Sequence, residues 1–314
     1  MMKNIFLIAV ALLLNMGILS GLSQAKEAPL DSGERELTED EVFVNEGVNY
    51  YFSEELDKAI ESMTKAIEIN DSNYKSYTIR GLSYFSKGEG DPAIDDFNKA
   101  IKLAPTFPTP YLYRGAILVT EEKYEEALSD LSKAIELEPE NYEAYFMRGD
   151  LWFKVGCTDN SIEDYMVAIK NDYEVSFTYG LVAQSYFLNE EYDKSIENYE
   201  KSLELNPDDV NSLNNLAWLY ATCEKESCRN GKKALKYAKK AVKLNRTSHT
   251  LSTLSAAYAE KGKIKKAIKL LEEAIAIEEK EIYLEDLRVL KEGKALRVSP
   301  KRDFEVSYGA LKCD

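Results

Sequence analysis

From residue 40 onward the chain alternates short amphipathic stretches with charged turns. Apolar residues recur at i, i+3, i+4 and i+7, the spacing of one face of a helix. Turns such as SKGEGD at 86–91 and LNEEYD at 188–193 join the stretches into antiparallel pairs. A longer period overlies the helical one. Tyr50, Tyr84, Leu118, Trp152, Tyr186 and Tyr220 recur with a period of 34, and Tyr258 follows after a step of 38. Three residues before each stands a small residue: Gly47, Gly81, Gly115, Gly149, Ala183, Ala217 and Ser255. Further small slots recur at Ala59, Ala93, Ala127, Ser161, Ser195 and Ala267, slipping to Ala234 in the sixth repeat. A second set is Ala66, Ala100, Ala134, Ala168, Ser202, Ala241 and Ala274, and Pro105, Pro139 and Pro207 close three of the repeats.

The physical reading is direct. A small residue is needed where two helix axes cross closely. The large residue four after the alanine, such as Phe97, Leu131, Tyr165 or Leu271, fills the space beside the crossing. No single pair buries both of its faces, so stacking must supply the core. A large side chain at Ala93 or Ala127 would overpack that crossing.

This pattern resembles the tetratricopeptide repeat family, whose period of 34 and order of small residue, aromatic, Ala, large apolar residue and Pro it follows. The resemblance implies an all-α fold: an α-solenoid of helix-turn-helix hairpins in a right-handed superhelix, with seven repeats at 40–73, 74–107, 108–141, 142–175, 176–209, 210–247 and 248–281. A capping helix is expected at 282–293 and a flexible tail at 294–314.

One charge keeps the same beat. Arg80, Arg114 and Arg148 each precede a repeat glycine, and Asp96, Asp130 and Asp164 follow them at a constant spacing of 16. The other four repeats carry neither member, so each arginine is expected to meet its aspartate across a hairpin or between neighbours, as a structural ion pair.

The N-terminus departs from this pattern. Lys3, the apolar run at 5–22 and Ser23-Gln24-Ala25 predict a secretory signal over 1–25 cleaved after Ala25; the alternative is an uncleaved membrane anchor. Export to the periplasm or outside the cell follows from the first reading. Residues 26–39 (KEAPLDSGERELTE) are expected to be a flexible leader. The formal charge of −15 makes nucleic acid an unfavourable partner. With 15 Gly and 8 Pro in 314 residues, the chain is poor in turns for an all-β protein.

Candidate chemistry is sparse. His249 is the one histidine, which argues against histidine-rich metal sites and histidine-based triads. No phosphate-binding glycine loop is visible. The expectation is a protein that is not an enzyme and holds no cofactor or metal. Cys223 and Cys228, five apart in the enlarged turn of the sixth repeat, can close a disulfide, with free or metal-bound thiols the alternatives. The partners of Cys157 and Cys313 are left open.

The resemblance implies a concave groove lined by the first helix of each repeat. Its candidate partner-binding residues are Tyr51, Phe85, Tyr113, Phe146, Phe153, Phe177, Gln184, Phe187, Asn214, Asn215 and Trp218. Some family members grip a peptide's terminal carboxylate with Lys, Arg and Asn; here the matching positions hold Val44, Val48, Ile79, Thr109 and Tyr113, which argues against that use. The expected function is an adaptor holding a partner protein or peptide in an apolar groove within an envelope-associated assembly. The alternative is a self-associating scaffold, a homo-oligomer built through repeat surfaces.

Overall fold

The computed structural model describes residues 37–297 and 311–313. The expected signal segment, the expected leader up to residue 36 and most of the tail lie outside those residues. Among the described residues there are fifteen α-helices, one 3-10 turn and no strand. In chain order the helices are α1 (Glu39–Phe52), α2 (Leu56–Ile69), α3 (Tyr74–Ser86), α4 (Gly90–Leu103), α5 (Thr109–Thr120), α6 (Tyr124–Leu137), α7 (Tyr142–Val155), α8 (Thr158–Lys170), α9 (Val175–Leu188), α10 (Tyr192–Leu205), α11 (Val210–Thr222), α12 (Gly231–Leu244), α13 (Ser248–Glu260), α14 (Ile264–Ile277) and α15 (Glu281–Lys291). None is long and apolar enough to cross a membrane. The chain divides after Leu151, inside α7, into two compact units.

In the first unit the hairpins α1–α2, α3–α4 and α5–α6 are locked at their small slots. Ala59, Ala66, Ala93, Ala100, Ala127 and Ala134 are fully buried. A Cβ added at Gly81 would stand 2.8 Å from Cε1 of Phe97, itself fully buried, so the absence of a side chain lets α3 meet α4. The turns keep the beat as well. Glu54, Gly88, Glu122, Gly156 and Glu190, spaced at the repeat period, all adopt left-handed φ between 60° and 84°. Glycine takes this conformation freely, whereas glutamate pays roughly 1–2 kcal/mol for it.

The arginines clamp neighbouring hairpins together. Arg80 donates from Nε and Nη2 to both carboxylate oxygens of Asp96 at 2.8 Å, and from Nη1 to Thr64 Oγ1 at 3.1 Å. Arg114 makes the same fork on Asp130 at 2.7 Å and reaches Asn98 Oδ1 with Nη1. Nη1 of Arg148 donates to Ser132 Oγ at 3.2 Å. Asp164 is buried in the second unit. Each guanidinium also lies over a tyrosine, at 5.8 Å for Tyr77 and Tyr111 and 5.6 Å for Tyr145. Thus Arg80 and Arg114 each tie an aspartate on their own hairpin to a polar residue on the preceding one. Thr64, Asn98 and Ser132 precede their arginines at the same spacing by which the aspartates follow, a regularity visible in the sequence once the fork is known.

In the second unit serine takes several small slots. Its hydroxyl then needs a partner, and each has one: Ser195 Oγ donates to Ala183 O and Ser255 Oγ to Ala267 O, both at 2.8 Å, while Ser161 pairs with Ser185 and Ser202 with Ser212 at 2.8 Å. α15 closes the end by burying Tyr283 and Leu290. The residues after it differ from the expected flexible tail. Leu296 is buried in a cluster with Ala221, Ala256, Ala259 and Leu290, and Arg297 reaches Ala221 O at 3.4 Å and Glu260 at 2.7 Å. An apolar side chain near an alanine-rich face has gained burial there, and Glu260 neutralises the charge that follows. At the other end, Thr38 N donates to Glu41 Oε2 at 2.8 Å, so the last residues assigned to the leader cap and begin α1.

Arg80 and Asp96 are mostly shielded, with side-chain exposures of 19% and 7%. Asp96→Ala is expected to lower unfolding free energy by about 3 kcal/mol, because it strands a partly buried guanidinium. The double change Arg80→Met with Asp96→Leu should recover most of that loss in a denaturant titration. A double variant no more stable than Asp96→Ala would contradict the clamp.

Candidate functional site

The eleven candidate groove residues do not share one environment. In the first unit Tyr51, Phe85, Tyr113 and Phe146 are all buried, the last two at 2% exposure. The Phe85 ring packs 5.5 Å from Tyr113, and Tyr113 stacks 6.4 Å from Phe97 of the preceding hairpin. These aromatics fill the seam between hairpins and do not line an open trough. Phe187 in the second unit behaves alike, buried against Tyr192 at 5.9 Å and clustered with Leu219, Cys223 and Cys228. This corrects the expectation of a continuous apolar groove through Phe85, Phe146 and Phe187. A signal for it lay in the period: the column Tyr51, Phe85, Val119, Phe153, Phe187 and Ala221 is apolar in six successive hairpins, and all but the half-buried Phe153 are buried.

What stays accessible lies in the second unit. Phe177 is 37% exposed, and Phe153, Gln184, Asn215 and Trp218 are half-buried. Gln184 and Trp218 are one repeat period apart and hold the same position on α9 and α11. Asn214, also expected on this face, is buried, and its Nδ2 lies 2.7 Å from Nε2 of His249 on α13. Although His249 is exposed at the surface, desolvation by its neighbours and the nearby Lys280 hold the imidazole below its ordinary range, and the neutral ring accepts this bond. His249, at the start of α13, therefore joins the first-helix face of α11 to that of α13. A lone histidine gave no sequence signal for that pairing. The resulting surface offers flat apolar rings beside amide and imidazole hydrogen-bonding groups. Such a set can hold an extended peptide by stacking and by bonds to its backbone.

The first unit holds a different feature. Glu143, at the start of α7, is buried, and its Oε1 accepts from the hydroxyl of Tyr113 at 3.3 Å. Burial pushes this carboxyl up to about 7, with Glu138 adding to the shift. Tyr51 is pushed up to about 12, chiefly by burial and further by the charge of Glu143. First helices of separate hairpins thus bring two phenols towards one acid.

The cysteines are arranged otherwise than expected. Cys157 and Cys313 form a disulfide across 156 residues. Cys223 and Cys228 are free and buried. Burial, with Cys228 beside it, pushes the Cys223 thiol up to about 12, which makes it a slow nucleophile. No group of three or more His, Cys, Asp or Glu among the described residues could hold a metal ion.

Comparison with known sequences and structures fits this architecture. Profiles described as tetratricopeptide repeat match residues 40–73, 74–107 and 247–280, and one described as TPR repeat matches 115–156 and 183–222. Together they span more than half of the chain. The fold is similar to the C-terminal part of a TPR repeat-containing protein from Cytophaga hutchinsonii, at 17% identity and TM-score 0.60, over 78% of this chain and 99% of that one. It is also similar to a tetratricopeptide repeat protein from Parabacteroides merdae, at 17% identity and TM-score 0.57, over 80% and 98%. MamA from Desulfovibrio magneticus, from its residue 41 onward, matches at 18% identity and TM-score 0.50, over 54% and 96%. At such identities the likeness shows the fold alone. No curated protein matches the chain.

The Glu143 carboxyl titrates near 4.5 when unfolded and near 7 in the folded unit. The folded state therefore binds the proton more tightly, and stability falls as pH rises through that window. Glu143→Gln is expected to gain up to about 3 kcal/mol at about pH 8 and to flatten the pH dependence between roughly 5 and 7. Denaturant midpoints measured across pH check this, and a variant with the parent's pH profile would contradict it.

Proposed function

Because the chain belongs to the tetratricopeptide repeat family, whose repeats mediate protein–protein interaction, we propose that it is a non-catalytic adaptor holding a partner protein or peptide on the first-helix face of its second unit. The observation that carries this reading is the division of the candidate residues. Those of the first unit are sealed into seams, whereas Phe177, Gln184, Asn215 and Trp218 keep surface. An extended peptide laid across α9 and α11 would stack on the rings of Phe177 and Trp218 and meet the amides of Gln184 and Asn215.

We further propose that the adaptor works outside the cytoplasm, in an envelope-associated assembly. The apolar run at 5–22 supports export, and the Cys157–Cys313 bond suits an oxidising compartment. The scarcity of clustered titratable groups on this face fits a binding role better than a catalytic one.

Peptide-display selection on the full chain tests the assignment. Selected peptides are expected to lose about thirtyfold in affinity with Trp218→Ala, the effect of removing an aromatic anchor of about 2 kcal/mol. Lys99→Gln, on α4 of the first unit, should leave binding unchanged. Peptides that bind the Trp218→Ala variant as well as the parent would contradict the reading.

A further inference from the structure

The net charge of −15 conceals an opposite region. Between Gly231 and Leu271 lie twelve lysines and arginines against one acid, Glu260. On α12, Lys232, Lys236, Lys239 and Lys243 follow the spacing of a single helical face, and all four are exposed. Lys233, Lys240 and Arg246 are held by Glu200, Asp208 and Glu273. The four of the stripe have no acidic partner among the described residues. On α14, Lys266 and Lys269 are exposed too. The two helices present these charges side by side: Lys239 and Lys266 both lie over the ring of Tyr258, at 5.9 and 5.7 Å. The opposite face of each helix carries the alanines that pack inward, Ala234, Ala238 and Ala241 on α12 and Ala267 and Ala274 on α14.

We propose that the outward face of α12 and α14, led by Lys232, Lys236, Lys239, Lys243, Lys266 and Lys269, docks on an anionic phospholipid surface. The charges are ammonium groups on long stems. They suit mobile headgroups that gather under point charges and do not supply the rigid forks with which arginine reads fixed phosphates or bases. The charge is spread over two adjacent helices and is not confined to a slot. α8 and α10 of the same unit expose carboxylates, including Asp159, Glu163, Glu197 and Glu204, which would disfavour a rigid polyanion longer than the patch. The surrounding acid also gives the approach a direction, since a negative surface repels most of the molecule and attracts this face.

Co-sedimentation of the full chain with vesicles tests the proposal. Vesicles of phosphatidylcholine mixed with phosphatidylglycerol are expected to bind more protein than phosphatidylcholine alone, and added salt should weaken the difference. Changing Lys232, Lys236, Lys239 and Lys243 to Gln should lower partitioning to the anionic vesicles at least about tenfold, given that each lysine near such a surface contributes on the order of fivefold. An equal charge change elsewhere, at Lys58, Lys99, Lys102 and Lys133, should leave most of the binding. The apolar run at 5–22 is common to all these proteins, so the comparison isolates the lysines, and circular dichroism confirms that the helices persist. Equal partitioning of the stripe variant and the parent would overturn the proposal. So would stripe-dependent binding to duplex DNA, or stripe-dependent self-association in ultracentrifugation, without preference for anionic vesicles.

Discussion

Two helices can cross as closely as α3 and α4 only where one of them lacks a side chain. At Gly81 a single added carbon would meet the Phe97 ring at 2.8 Å, and Phe97 has no room to retreat because it is fully buried. The rest of the architecture depends on that contact and its repeats. Close crossing makes the hairpin, the buried alanines of the second helix let the next hairpin nest against it, and the regular beat of the sequence follows. Interiors this dense tolerate little change in volume. The sequence is therefore most regular where the crossings are and varies most on the surfaces they leave free.

The polar groups trapped by this packing are bound in regular ways. Arg80 and Arg114 satisfy their donors on an aspartate of the same hairpin and a polar residue of the preceding one, so each arginine fixes the register of two hairpins. Serines in the second unit replace alanine by adding the volume of one hydroxyl, and each finds an acceptor for it. Glu143 departs from this regularity. With one bond at 3.3 Å from Tyr113, it is buried without a cation, and its carboxyl resists ionisation for that reason. The first unit thus carries a proton-sensitive centre where the second carries accessible amide and aromatic groups.

The helices, their pairing and the small slots were legible in the sequence because they follow from period and side-chain volume. The constant Arg–Asp spacing was legible for the same reason. The division between seam and surface was not read, because an aromatic on a helix face has the same periodicity whether the face meets solvent or another hairpin. Phe85 and Trp218 look alike until their columns are compared across repeats. The bond between Cys157 and Cys313 joins distant parts of the chain and has no local signature, whereas the nearby pair Cys223 and Cys228 is unbonded in an apolar cluster. The lysine stripe was present in the sequence but vanished in a whole-chain average, which weighs α12 together with the acidic residues of the preceding repeats.

The central claim is that tight hairpin nesting closes the first-helix face of the first unit and leaves that of the second accessible. Carbene footprinting of the native chain, read residue by residue, tests this most directly. The account predicts strong labelling at Phe177 and Trp218 and protection at Phe85, Tyr113 and Phe146. Comparable labelling at all five would contradict it.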